Sequence, residues 1–115
     1  MPTDCIFCKI AKGEVPADII EQDGEFTVFW DIKPAAPVHI LIIPNKHIRS
    51  INEAQPEDAA LLGRLILKAQ AIAIQQGVDQ DGYRLLINVE RGGGQSVFHL
   101  HLHLFGGKHL MAIHG

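Results

Sequence analysis

Between positions 99 and 105 the chain alternates without a break: His99-Leu100-His101-Leu102-His103-Leu104-Phe105. Successive side chains of a β-strand point to opposite faces. The run therefore predicts a strand with three histidines on one face and Leu100, Leu102 and Leu104 on the other. The leucine face needs a core. The histidine face, with imidazoles about 6.6 Å apart along the strand, is a poor choice for packing alone. Imidazole is a metal ligand, a general acid or base near neutral pH, and a nucleophile in covalent catalysis. A solvated or internally satisfied histidine accounts for one such residue. Three in alternation, with a fourth at His39 inside another β-rich run, point to chemistry. A three-histidine zinc site is one form of it, but a catalytic zinc also needs an open position.

Immediately before this run stands Arg91-Gly92-Gly93-Gly94-Gln95-Ser96. Glycines let backbone N–H groups approach an anion closely, and Ser96 adds a hydroxyl. Alone, such a run is equally well a turn without function. Beside three imidazoles it reads as a phosphate cradle, which points to phosphoryl or nucleotidyl chemistry.

The remaining pattern supplies a scaffold. Cys5–Lys12 has helical spacing, with Asp4 as the expected cap and Gly13 as the stop. Ile19–Gln22 and Glu25–Trp30 flank Asp23-Gly24, which predicts a hairpin with a type I′ turn. Val38–Pro44 is a β-branched run ending at proline. Lys46–Asn52 reads as a helical turn. Pro56–Gln76 is the one long helix, with Leu62, Leu65, Ile66, Ala69, Ile72 and Ala73 as its apolar stripe and Gly77 as its stop. Tyr83–Val89 and Val97–Phe105 are expected strands, joined by the glycine-rich loop Glu90–Gln95. The order predicts a single α+β domain over residues 1–115, with a mainly antiparallel sheet and one short and one long helix.

The 115 residues suit one domain, and their formal net charge of -3 opposes a basic nucleic-acid platform. No apolar run reaches membrane-spanning length. Met1-Pro2-Thr3-Asp4 shows neither a basic nor an apolar leader segment, and two cysteines cannot build a secreted disulfide framework. A cytoplasmic protein without membrane or nucleic-acid partners is the expectation.

The run His99–Phe105 resembles the full signature of the histidine triad superfamily, in which histidines alternate with apolar residues. Gly93-Gly94-Gln95-Ser96-Val97 before it and Gly106-Gly107 after it resemble the branch of purine nucleoside phosphoramidases. Cys5–Ile10, Asp31-Ile32-Lys33-Pro34, Ala36-Pro37-Val38-His39, Ile43-Pro44, Lys46-His47-Ile48 and Tyr83-Arg84 with Asn88 extend the likeness over nearly the whole chain.

The resemblance implies a five-stranded antiparallel sheet with two helices, doubled to ten strands in a homodimer. It implies attack by His101 on the α-phosphorus of a purine nucleoside phosphoramidate, a nucleotidyl-histidine intermediate, and release of AMP or GMP. In it His103 contacts the phosphate, His39 supports the geometry of the nucleophile, and Ser96 helps protonate a leaving amine. Asn88 and the backbone from Gly94 through Gln95 and Ser96 to Val97 bind phosphate oxygens. Asp31 holds the ribose hydroxyls. Phe7, Ile10, Phe29 and Ile32 line an apolar slot for the purine, though each is equally well a core residue. No cofactor is expected for the chemistry. Within the superfamily a dinucleoside polyphosphate hydrolase is the alternative, and outside enzymes a nucleotide-binding regulatory protein. The tail, Lys108–Gly115, departs from the tryptophan-bearing tails of eukaryotic relatives, and His109 and His114 read as surface residues.

Cys5-x-x-Cys8 reads three ways: a redox pair, two buried free thiols, or half of a structural zinc site. A redox pair wants a βαβ setting that is missing here. Zinc needs two more ligands, for which His47 and His99 are the candidates, and the resemblance favours that Cys2His2 set. His99 is then structural, at most a support for His101.

Overall fold

The computed structural model describes residues 4–107. The tail with His109 and His114 lies outside them. Five strands form one sheet: β1 (Ile19–Gln22), β2 (Phe26–Trp30), β3 (Val38–Pro44), β4 (Arg84–Leu86) and β5 (Leu102–Gly106). Their order is β1-β2-β3-β5-β4, and every neighbouring pair is antiparallel. Two α-helices complete the fold, α1 (Ile6–Ala11) and α2 (Ala59–Gln75). This is the expected α+β architecture.

From Ile40 to Ile43, β3 is apolar because both of its faces are covered. Ile40 and Ile42 pack with Leu65, Ala69 and Ile72 of α2, together with Leu100, Leu102 and Leu104. Leu41 and Ile43 point the other way, against Phe7 and Ile10 of α1 and Phe29 of β2. A strand covered on both faces cannot alternate polar and apolar. Of the α2 stripe, Leu65, Ala69, Ile72 and Ala73 are buried, Leu62 is partly so, and Ile66 stands 45% exposed. The helix is thus buried on a narrower face than its spacing suggests.

Three features differ from expectation for identifiable physical reasons, and further bounds shift with them. The N-cap of α1 is Cys5, whose Sγ accepts from the Cys8 N–H, and not Asp4. No positive φ occurs at Asp23 or Gly24, so the hairpin turn is not type I′. The Asp23 carboxylate closes it instead, accepting from the N–H groups of Glu25 and Phe26 at 2.8 Å each. The third concerns the histidine run, where only Leu102–Gly106 is paired strand. Continuing the β3–β5 register would set Leu100 against Pro44, which has no N–H to extend the ladder. The Leu100 N–H turns to the carbonyl of Ile48 at 2.7 Å. β4 is likewise shorter than Tyr83–Val89. Pro56–Asp58 is a 3-10 turn leading into α2, and the helical turn expected over Lys46–Asn52 is a 3-10 turn at Ile51–Glu53.

Gly106 lies where a chain with any side chain would collide. A Cβ there would stand 2.9 Å from Cβ and Cγ1 of Val78. The glycine lets β5 pass beneath the loop that follows α2 and keeps His103 and Phe105 in register with β3.

Candidate active site

Because the strand begins only at Leu102, the three histidines take three different settings. His99 is fully buried, and its Nε2–H donates to the carbonyl of Pro44 at 2.8 Å. That leaves its Nδ1 lone pair facing Cys5 Sγ at 3.4 Å, Cys8 Sγ at 3.5 Å and His47 Nδ1 at 3.2 Å. Cys8 Sγ is also 3.3 Å from His47 Nδ1. A tetrahedral zinc with Zn–S near 2.3 Å and Zn–N near 2.0 Å has ligand–ligand edges of about 3.3–3.8 Å. These four separations stand within a few tenths of an ångström of that range, and the donors are two thiols and two imidazoles, so the residues fit zinc. Burial and the neighbouring Cys5 push the Cys8 thiol up to about 11, which a bound cation would reverse.

His101, 5% exposed, donates its Nδ1–H to the His99 carbonyl at 2.7 Å. Its proton is therefore on Nδ1, and Nε2 keeps a lone pair. Burial holds the group below its ordinary 6.5, the neutral state that nucleophilic attack needs. Phe7 meets the ring edge-on at 5.1 Å.

His103 is fixed through His39. The Ala35 N–H donates to His39 Nδ1 at 3.0 Å, so the neutral ring carries its proton on Nε2. That proton points at His103 Nδ1, 3.0 Å away, with Asp31 Oδ2 at 3.5 Å. His103 in turn carries its proton on Nε2, a buried atom with no partner among the described residues. A buried donor without a protein acceptor is available to one that enters the cavity. Burial, with His101 and His39 beside it, pushes His103 down to about 4. His39 thus contacts His103 directly. Asp31, His39 and His103 also bring possible metal-ligand atoms within 4.8 Å of one another, but their spacing and tautomers are those of a hydrogen-bond chain.

These rings open on a cavity of about 570 Å³. Its walls include Phe7, Ile10, Phe29 and Ile32 on the apolar side, together with Asp31, Ser96, Val97, His101 and His103. Ile32 is 90% exposed at the rim. Asp31 Oδ1 accepts from the Lys33 N–H at 2.7 Å, holding the turn that follows β2. Leu41, Val15 and Ala17 also line the cavity. Loop residues such as Val15 and Ala17 carry no periodic signal that would have singled them out.

The glycine-rich loop differs in detail from a cradle of free amides. The N–H groups of Gly94 and Gln95 donate to the carbonyls of Arg91 and Glu90 at 3.0 and 3.1 Å. The Gln95 side chain is buried and turned inward, donating to the carbonyls of Arg49 and Val97 and accepting from the Glu90 N–H. It braces the loop and does not face the cavity. Neither the Ser96 nor the Val97 N–H has a partner among the described residues. Asn88 lies beneath Gly94, its side chain 3.8 Å from where a Cβ of that residue would be.

Comparison with known proteins points one way. Residues 4–115 match the family model described as scavenger mRNA decapping enzyme C-term binding. A purine nucleoside phosphoramidase of Escherichia coli is 50% identical over 110 residues, 96% of this chain and 92% of that protein. Among solved structures, a HIT family hydrolase from Legionella pneumophila superposes with a TM-score of 0.94 at 46% identity, covering 97% of this chain and 100% of that one. A zinc-bound histidine triad family protein from Mycobacterium smegmatis superposes with a TM-score of 0.79 at 29% identity, covering 96% and 80%.

Proposed function

Because the chain belongs to the histidine triad family of hydrolases, we propose that it cleaves the P–N bond of purine nucleoside 5′-phosphoramidates through a nucleotide held on His101. The observation that carries this is the 2.7 Å bond from His101 Nδ1 to the His99 carbonyl, which leaves Nε2 unprotonated. In the first step the Nε2 lone pair forms a bond to the α-phosphorus. The P–N bond to the leaving group breaks, its electron pair stays on the leaving nitrogen, and a proton delivered by way of the Ser96 hydroxyl gives a neutral amine. In the second step water attacks phosphorus, its proton passing to the Ser96 side, and the P–Nε2 bond breaks. AMP or GMP leaves and the lone pair returns to His101. Dividing one displacement into two lowers each barrier.

His103 Nε2–H and the N–H groups of Ser96 and Val97 are the donors for phosphate oxygens, where negative charge gathers. Asn88 supports them from below Gly94. Asp31 receives the ribose hydroxyls, and the Phe7, Ile10, Phe29 and Ile32 wall takes the purine.

Cys5, Cys8, His47 and His99 would hold a structural zinc ion, which ties α1 to the sheet and leaves no open coordination position. Since β4 is an edge strand, two copies can meet there to form the ten-stranded sheet of a homodimer. Among the described residues no helix is long and apolar enough to cross a membrane, and we place the protein in the cytoplasm.

The test is AMP release from adenosine 5′-phosphoramidate by the wild type and by His101→Ala. Turnover by the wild type alone, with AMP binding kept in both, is the expected result. Near-normal turnover by His101→Ala would remove the nucleophile assignment. Binding without turnover in both would leave a nucleotide-binding protein.

A further inference from the structure

Glu90 sits at the root of the glycine-rich loop with φ 61° and ψ 178°, and among the described residues it is the one non-glycine with positive φ. That region of backbone space is essentially reserved for glycine, and a side chain there persists only where its surroundings over-determine it. The surroundings do so from every side. Arg49 grips the Glu90 carboxylate through Nε at 3.2 Å to both oxygens and Nη2 at 3.0 Å to one. The Ser50 hydroxyl donates to the same carboxylate at 2.6 Å. These two partners, Arg49 first, hold the group below its ordinary range. The Arg49 guanidinium in turn lies over the Phe98 ring at 4.2 Å.

The backbone of Glu90 is held as firmly. Its N–H donates to Gln95 Oε1 at 2.7 Å, and its carbonyl accepts from Gly93 and Gln95. Gln95 Nε2 closes the circuit, donating at 2.7 Å to the carbonyl of Arg49 and at 3.0 Å to that of Val97. Ser96 stands between Gln95 and Val97, both of them tied into this ring, while Ser96 itself lines the catalytic cavity. A glycine would adopt this backbone without strain. A glutamate adds the side-chain tie to Arg49 and Ser50.

We propose that Glu90 is a positioning residue, a strained anchor that, through Arg49, Ser50 and Gln95, fixes the place of the Ser96 hydroxyl relative to His101. The proposal rests on the phosphoramidase reading above, because Ser96 matters most where the leaving group must take up a proton.

Three variants separate the roles: Glu90→Gly, which relieves the backbone but removes the tie, Glu90→Gln, which keeps the tie's shape, and Arg49→Ala. Each is assayed with two substrates, an adenosine 5′-phosphoramidate with an alkylamine leaving group and adenosine 5′-(p-nitrophenyl phosphate), whose leaving group needs no proton. For Glu90→Gly and Arg49→Ala we expect kcat on the amine to fall at least about tenfold, KM to stay within about twofold, and the p-nitrophenyl ester to be nearly unaffected. Glu90→Gln recovers most of the loss. Equal losses on both substrates, or none on either, overturn the proposal. Amide hydrogen exchange is read alongside and needs no activity. Exchange at Gly94 and Gln95, whose N–H groups are bonded within the loop, should quicken about tenfold in Glu90→Gly while Ile42 in the sheet is unchanged. Unchanged loop exchange overturns the anchor by itself, whereas a wild type inactive on both substrates, with the loop exchange as expected, overturns the phosphoramidase reading alone.

Discussion

Nε2 of His39 lies 3.0 Å from Nδ1 of His103, and that one contact sets which nitrogen of His103 faces the cavity. The Ala35 N–H fixes His39, His39 fixes His103, and the Nε2–H of His103 is left for the substrate. His39→Ala removes the donor that selects this tautomer. We expect kcat to fall by up to about 10²–10³-fold, the range for one charge-stabilising donor lost from a site. His39→Gln can still place an N–H near His103 Nδ1 and should recover a large part of the rate. The imidazole ¹⁵N shifts of His103 report the tautomer directly. A protonated Nδ1 in the wild type would contradict the chain.

Acid should destabilise the protein through the same residue. His103 is held at about 4 by burial, against an ordinary 6.5. Between these values the unfolded chain binds the proton more readily than the folded one, so stability rises with pH across about 4 to 6.5 and gains nothing from this group above it. Lowering the pH from 7 to 4.5 costs roughly 2–3 kcal/mol through His103 alone. Urea unfolding at pH 7, 5.5 and 4.5 should show a shallower decline for His103→Gln than for the wild type. Parallel declines would place the acid sensitivity elsewhere.

The thiol–imidazole cluster makes a stoichiometric claim. One zinc ion per chain is expected by native mass spectrometry, and Cys8→Ser should lose it. Structural zinc contributes directly to folding free energy, so chelation should lower the melting temperature by about 10 °C or more. His99 connects this cluster to catalysis, since its ring belongs to the cluster and its carbonyl holds His101. Stripped protein should therefore lose rate as well as stability. A chain that carries no zinc after growth in zinc-rich medium and melts at the same temperature with chelator would rule the site out.

Periodicity and residue type made the five strands and both helices legible in the sequence, because each depends on local patterns, whereas the four-donor cluster was favoured only through the family resemblance. Long-range backbone bonds were not legible. The histidine strand stops at Leu102 because Pro44 and Ile48, far away in the chain, decide where the Leu100 N–H goes. The partner of His39 depends on a β3–β5 register that places it opposite Phe105, two pairs from His103 and so on the same face. Gln95 belongs to a recognisable motif, yet whether its amide faces ligand or backbone follows from the fold of the loop around it. Glu90 gave no signal at all, because nothing in the letters of a chain marks a positive φ on a glutamate.

Asp31 separates a direct role from an indirect one. Oδ1 holds the Lys33 N–H at 2.7 Å, and Oδ2 lies 3.5 Å from His39 Nε2. A carboxylate in the cavity wall is also suited to accept two adjacent ribose hydroxyls. Asp31→Asn keeps an oxygen for the Lys33 turn but loses the charge. A hydrogen bond to a charged group contributes about 1.5–3 kcal/mol, so AMP should bind roughly tenfold or more weaker to the variant. The 2′,3′-dideoxy nucleotide offers no hydroxyls to Asp31, and its affinity should be nearly the same for wild type and variant. Calorimetric titration of both nucleotides into both proteins closes the cycle. A coupling near zero, with both nucleotides weakened alike, would mean that Asp31 acts through the turn and His39, and that the ribose is held by other groups.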